Sequence, residues 1–223
     1  MRLYHFFFEP DSERVRLALG LMSLPYELKV VDPDDDETFF DLGVARTAPV
    51  LQWDDGQLAL ESLAILAELD RRYPERALFG PLNAEQWQAL TAWRARGSVL
   101  WDRLYAPIRP AYRGIGDSEG HLAAYKASVQ ARFHTSLEDL ANDRYAVYQQ
   151  LDALTGLKAL GAFLAKHRFY AGTPSAADAL LAADLFPLQL LDGVTLPIDL
   201  MYYCERVQES CGVDLRQGFL SDA

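Results

Sequence analysis

Cysteine is scarce in this chain: 223 residues hold two, Cys204 and Cys211. They fall seven positions apart in a helical pattern, about 10 Å along one face at 1.5 Å per residue. That separation excludes a disulfide between them, and a reduced, cytoplasmic protein is the expectation. Cations are also few, with 21 Lys and Arg against 32 Asp and Glu, for a net charge of −11. A surface that neutralises phosphates needs clustered Lys and Arg, so nucleic acid and anionic membrane surfaces are not expected partners. A single anionic small molecule in a local basic pocket remains compatible. No apolar run reaches the ~20 residues that a membrane-spanning helix needs. The short apolar stretch Leu3–Phe8 is ended by Glu9, Asp11, Glu13 and Arg14, too soon for a signal peptide.

Half of the residues are hydrophobic. A chain of this length buries roughly 70% of its unfolded surface and needs neither a metal nor a disulfide to fold. Residues 1–73 alternate strand and helix signals. Leu3 to Phe8 is β-rich and continuous, as a buried strand reads. Ser12 is placed to cap a helix with Val15, Leu19 and Met22 on its apolar stripe. Tyr26 to Val31 reads as a second strand, and the acidic turn Asp32–Glu37 leads into a short helix. Pro49–Trp53 and Gln57–Leu60 flank Asp55-Gly56, a hairpin signal of the primed-turn kind. Ser62 then caps a helix carrying Ile65, Leu66, Leu69 and Tyr73.

After the proline-rich connector Pro74–Pro81 the strand signals stop. Trp87, Leu90, Trp93, Leu100, Trp101 and Leu104 mark one long amphipathic helix, and Leu122–Leu140 and Tyr145–Lys166 read as two more. Ser175-Ala176-Ala177-Asp178 is a capping box opening a helix to Leu191, which Pro187 should kink. A last helix follows Pro197, with Leu200, Tyr203, Cys204, Val207 and Cys211 on one stripe. The expected organisation is an α/β unit over residues 1–75, a linker at 76–84 and an all-helical unit over 85–223.

Ala48-Pro49-Val50-Leu51, then Asp55-Gly56, then Glu61-Ser62 with Ile65, follow in order and spacing a Val-Pro-Val-Leu, Asp-Gly, Glu-Ser, Ile pattern. That pattern resembles the glutathione transferase superfamily, and most of all its two-domain glutaredoxins of the glutaredoxin 2 type. Leu185-Phe186-Pro187-Leu188 through Pro197 to Leu220 resembles the ending of those proteins as well. The resemblance implies a thioredoxin-like N-terminal domain followed by an all-α domain, with glutathione as ligand or substrate. It implies a cis Pro49, an Ala48 backbone that pairs with the cysteinyl backbone of the tripeptide, Ser62 on the γ-glutamyl carboxylate and Glu61 on the glutamyl ammonium. Arg46 and Thr47 would approach the glycyl end. A monomer is expected rather than a dimer, acting with glutathione and an unidentified small molecule or protein.

The departure from that pattern bears directly on chemistry. Those glutaredoxins carry Cys-Pro-Xaa-Cys where the first strand meets the first helix; here the tetrapeptide is Glu9-Pro10-Asp11-Ser12. A disulfide oxidoreductase needs a low-pKa thiolate at that helix end, so glutaredoxin activity ranks last. Transferase chemistry needs a group that stabilises the glutathione thiolate. Glu9 stands at the nucleophile position, where its carboxylate would repel a thiolate and compete for the positive helix end. Ser12 is the only hydroxyl in the turn and is the candidate helper, with helix capping as its simpler role. His5 and Tyr4 lie near the phenol of tyrosine-type members but read as core residues. Tyr105, Tyr112 and Arg113 are candidates for an acceptor pocket and otherwise packing residues. Two readings stand ahead of glutaredoxin activity: a glutathione transferase acting on an unknown electrophile, and a catalytically silent binding or regulatory relative.

Overall fold

Strand β1 (Arg2–His5) runs through the middle of a four-stranded sheet. The computed structural model describes residues 1–220, so residues 221–223, the end of the expected helical unit, lie outside it. The sheet order is β2-β1-β3-β4, with β2 at Glu27–Val30, β3 at Val50–Gln52 and β4 at Leu58–Leu60. β1 pairs parallel with β2 and antiparallel with β3, and β3 pairs antiparallel with β4. The parallel pair requires a crossover, supplied by α1 (Pro10–Leu21). α2 (Asp36–Leu42) and α3 (Ser62–Arg72) complete this part.

β1 stops three residues before the expected Phe8, because Phe6–Glu9 turn into α1. The β3–β4 hairpin forms where expected, with a different turn. Among the non-glycine residues with positive φ, Asp55 does not occur, whereas Gly56 sits at φ +83°. A primed type I turn needs both central residues at positive φ; one left-handed glycine closing a three-residue loop is the bulged alternative. Trp53 N–H donates to Gln57 O at 2.9 Å across that loop, and Asp55 Oδ1 accepts from Gln57 N–H at 2.9 Å.

The remainder is helical: α4 (Ala84–Tyr105), α5 (Glu119–Phe133), α6 (Leu137–Thr155), α7 (Leu157–Lys166), α8 (Ala176–Leu185) and α9 (Ile198–Cys211). The expected helix Leu122–Leu140 is two. His134 takes a left-handed φ of 56°, and Ser136 caps α6 by accepting from Asp139 N–H at 3.0 Å. The stretch expected as Tyr145–Lys166 likewise breaks at Gly156, at φ 63°. The Ser175–Asp178 capping box is present, and each residue of α8 is buried. Beyond Leu185 the chain tightens to a 3-10 helix over Phe186–Leu190, since Pro187 has no N–H to continue the α ladder. Among the described residues no helix is long and apolar enough to cross a membrane. Both cysteines are unpaired, and burial pushes each thiol up to about 12.

α1 joins the two parts. It packs on α3 and also on α8 and α9, so Val15, Leu17, Ala18 and Leu19 are all buried although they cover several helix faces. Gly20 makes the closest approach. A Cβ there would lie 2.5 Å from Cys211 O and 2.8 Å from Cys211 Cβ. Gly20→Ala gains about 1 kcal/mol of helix propensity but overpacks against a backbone oxygen that cannot rotate away, at about 1–3 kcal/mol. The expected result is a net loss of stability, seen as a lower urea midpoint with unchanged m-value; an unchanged or higher midpoint would refute this close fit.

Candidate active site

Strand register gathers the candidate residues at one end of the sheet. Tyr4 is opposite Val50, and Val50 is opposite Leu60. The chain leaving β1 (6–9), the chain entering β3 (Ala48 and Pro49) and the chain leaving β4 (Glu61 and Ser62) therefore share that end. The Ala48–Pro49 bond is cis. Ala48 is half-buried, and among the described residues no hydrogen bond engages its backbone. Glu61 holds φ 65°, ψ 122°, a conformation that L-residues rarely adopt and that costs about 1–3 kcal/mol. Its carboxylate is exposed and makes no capping bond. Ser62 is the first residue of α3 rather than its cap. Its Oγ donates to Asp11 Oδ1 at 3.0 Å, which ties the start of α3 to the start of α1.

Glu9 is the N-cap of α1, but its side chain makes no capping bond. The expected competition for the helix end is absent because the carboxylate turns instead to the helical part. Arg109, in a short 3-10 turn after α4, donates from Nη2 to Glu9 Oε2 at 2.9 Å and from Nε to Phe8 O at 3.3 Å. Removal from water pushes the Glu9 carboxyl above its usual range, more than Arg109 pulls it down. Ser12 is not the cap of α1 either. It is fully buried in the first turn, and its Oγ accepts from Phe6 N–H at 3.4 Å. That places it away from both cavities described below.

His5 is fully buried, with Nε2 3.2 Å from Glu13 Oε1. Glu13 accepts from Arg16 Nε at 2.7 Å, and Arg16 reaches Gln217 Oε1 at 2.6 Å and Asp214 O at 2.8 Å. This chain of polar groups fastens the C-terminal segment to α1. Tyr4 is buried too, its hydroxyl on Gln52 Oε1 at 3.3 Å.

Glu9 and Arg109 form a wall between two cavities. One, of about 410 Å³, lies between the starts of α1 and α3 and the inner face of α4; Asp11, Arg14, Leu63, Arg94 and Tyr105 line it. At its floor Asp184 accepts from Arg14 Nη2 at 2.6 Å and from Arg94 Nε at 2.7 Å. Burial alone would raise the Asp184 carboxyl, but the two guanidiniums hold it below its usual range. The other cavity, of about 480 Å³, opens toward α5 and is lined by Phe8, Arg46, His121, Tyr125 and Arg132. Ala48, Pro49, Glu61 and Ser62 line neither cavity; they adjoin the first through Asp11 and Leu63. Tyr105 faces the first cavity with its hydroxyl donated to Asp184 O at 2.6 Å. Tyr112 is buried against Phe219, Arg113 is exposed, and Arg46 pairs with Asp36 at 3.2 Å. Arg14, Arg94 and Arg109 were not singled out by the sequence. An isolated arginine carries no motif, and their partners lie up to 170 positions away.

Residues 3–77 match the family model for the glutathione S-transferase N-terminal domain. Maleylacetoacetate isomerase of Pseudomonas aeruginosa is 36% identical over 100 residues, 41% of this chain and 47% of that protein. The chain spans less than half the length of the curated relatives it matches. Among solved structures, glutaredoxin 2 of Salmonella typhimurium in complex with glutathione superposes with a TM-score of 0.81 at 21% identity, over 96% of this chain and 95% of that one. A glutathione S-transferase of Ceriporiopsis subvermispora in complex with glutathione gives 0.74 at 16% identity, over 100% and 99%. Residues 3–77 thus match a glutathione S-transferase N-terminal domain, and the chain as a whole has the fold of the solved glutathione transferases and glutaredoxin 2.

Proposed function

We propose that this protein binds glutathione at the end of its sheet and joins the tripeptide through its sulfur to a small electrophile. The observation that carries this reading is the convergence of an unpaired Ala48 backbone, Glu61-Ser62 at the start of α3 and the start of α1, beside two cavities. A tripeptide can pair with Ala48 as an added strand. Its γ-glutamyl carboxylate then meets the free N–H groups at the start of α3, and its ammonium meets the exposed carboxylate of Glu61. Ser62 keeps its hydroxyl on Asp11, so the α3 backbone supplies the anion contact. The solved relatives named above hold glutathione, which agrees with this assignment. Ser12, buried and bonded to Phe6, takes no part in it.

A second reading, a glutathione-binding module without turnover, draws on that same burial of Ser12. Disulfide exchange ranks below both, since the turn carries no thiol and both cysteine thiols are held near 12. One experiment separates the readings. At 100 Kd, bound glutathione adds about 2.7 kcal/mol, or about 5–10 °C in Tm for a chain of this size. Glu61→Ala should reduce that shift, whereas Ser62→Ala, which keeps the backbone N–H groups of α3, should reduce it little. Conjugation of an α,β-unsaturated carbonyl in the same samples supports transfer, and a Tm shift without conjugation supports the binding module. No shift at millimolar glutathione would overturn both.

A further inference from the structure

We infer that Glu9 is the base that removes the proton from the glutathione thiol, and that Arg109 then holds the resulting thiolate. This rests on the glutathione-binding reading above and gives the replaced nucleophile position a role of its own. Bound along Ala48 with its glutamyl end at α3, the tripeptide places its middle residue at the start of α1, where Glu9 stands.

A thiol with a pKa of about 8.5 is mostly protonated at neutral pH and needs activation. The hydroxyls near this point are unavailable. Ser12 is fully buried and lines neither cavity, Tyr105 donates to Asp184 O, and Tyr125 donates to Ala106 O at 2.9 Å. The Glu9 carboxylate is different: a third exposed, it borders both cavities and is held by one guanidinium. Arg109 is 8% exposed, and its Nε also donates to Phe8 O at 3.3 Å.

The step balances without an oxidant or reductant. The S–H bond breaks and an O–H bond forms on Glu9. Glu9 becomes neutral, and the Arg109 guanidinium exchanges a carboxylate partner for a thiolate. The charge of the three groups together is the same before and after. Sulfur then attacks the β-carbon of an unsaturated carbonyl, and the enolate formed takes the proton back from Glu9. Repulsion between carboxylate and thiolate does not arise, because the two are never charged together. The withdrawal of Glu9 from water favours its acting as a base nearer neutrality. Other charges around it are Asp102 and Arg132, paired with each other, Asp11 and Arg14 on the α1 side, and Asp34, Arg46 and His121 across the second cavity.

The test uses the intact protein and two variants, Glu9→Gln and Arg109→Met. Ultraviolet thiolate absorbance of bound glutathione is titrated against pH, beside kcat/KM for conjugation and the Tm shift given by S-methylglutathione, which has no thiol proton. In the unsubstituted protein the thiolate should form at least one pH unit below free glutathione, and kcat/KM should rise through an acidic limb. Glu9→Gln should lose that limb and fall about 10²-fold or more in kcat/KM, with the S-methylglutathione shift retained. Arg109→Met should move thiolate formation to higher pH. If Glu9 merely repels the thiolate, Glu9→Gln will instead form it at lower pH and turn over faster, which would overturn the inference. Absence of any glutathione shift would remove the binding reading and this inference together. Retention of the shift with an unmoved thiolate titration in Glu9→Gln would remove the inference alone.

Discussion

Asp184→Asn is expected to remove about 3–5 kcal/mol of stability, the cost of stripping one partner from a buried ion pair. Asp184 is 3% exposed and sits between two arginines from different parts of the fold, Arg14 of α1 and Arg94 of α4. An amide keeps the shape but leaves two guanidiniums facing each other with no counter-charge between them. Arg14 retains its contact with Asp11; Arg94 loses its only ion pair among the described residues. The pH dependence follows from the direction of the shift. The folded-state pKa of Asp184 lies below its unfolded value of about 3.9. Its contribution is therefore complete above that value and fades as pH falls through the lower, folded one. Urea titrations should show a wide gap between the unsubstituted protein and Asp184→Asn at pH 7, narrowing at pH 3. A gap under 1 kcal/mol at pH 7 would show that the triad contributes little. Replacing all three residues by apolar ones of similar volume should recover much of the loss, since the cost belongs to the broken pair rather than to its absence.

Asp178 provides the contrast. It too is fully buried on α8, but it accepts only from neutral donors: the N–H groups of Tyr170 and Ser175 and the hydroxyls of Ser175 and Tyr203. Burial then prevails and its carboxyl is raised. Two aspartates six positions apart on one helix are thus shifted in opposite directions, and whether guanidiniums are present decides the direction. The sequence showed the first of these roles, because Ser175-Ala176-Ala177-Asp178 is a local pattern with a local mechanism. It gave no sign of the second, whose partners come from 90 and 170 positions away.

That division runs through the molecule. The succession of strands and helices, the hairpin and the capping box were legible because hydrophobic period and turn residues act over a few positions, whereas the cis Ala48-Pro49 bond was legible only through the family resemblance. Helix ends were less so. The breaks at His134 and Gly156 interrupt apolar stripes that continue on either side, and periodicity does not register a single left-handed residue. Serine before an apolar run is the usual cap signal, and Ser12 and Ser62 both carry it. Here each helix starts earlier than that serine requires, and the hydroxyls serve Phe6 and Asp11 instead. At the site, Glu9 was visible as a replacement for a nucleophile, but its partner Arg109, 100 positions on, was not. A carboxylate at a positive helix end reads as a cap until the fold presents a guanidinium to it.

Glu9→Cys should create the most reactive thiol in the molecule. The sulfur would take the N-cap position of α1, near the positive end of the helix, with Arg109 Nη2 now lacking the carboxylate it holds at 2.9 Å. Cysteines at helix ends beside a cation have pKa values of about 3.5–7.5. Cys204 and Cys211, pushed up to about 12, should stay silent at neutral pH, so the unsubstituted protein is the blank. The rate of alkylation by iodoacetamide, followed against pH, should show a midpoint below about 7.5, and Arg109→Met in the same background should raise it by a unit or more. Such a thiolate should form a mixed disulfide with oxidised glutathione. Adding Ser12→Cys should contribute little as a resolving thiol, because that side chain is fully buried and turned toward Phe6 N–H. A midpoint at the ordinary cysteine value of about 8.5 would mean that Arg109 follows its carboxylate rather than the position. The guanidinium would then be a partner of Glu9 alone, and the start of α1 would not be an anion site in its own right.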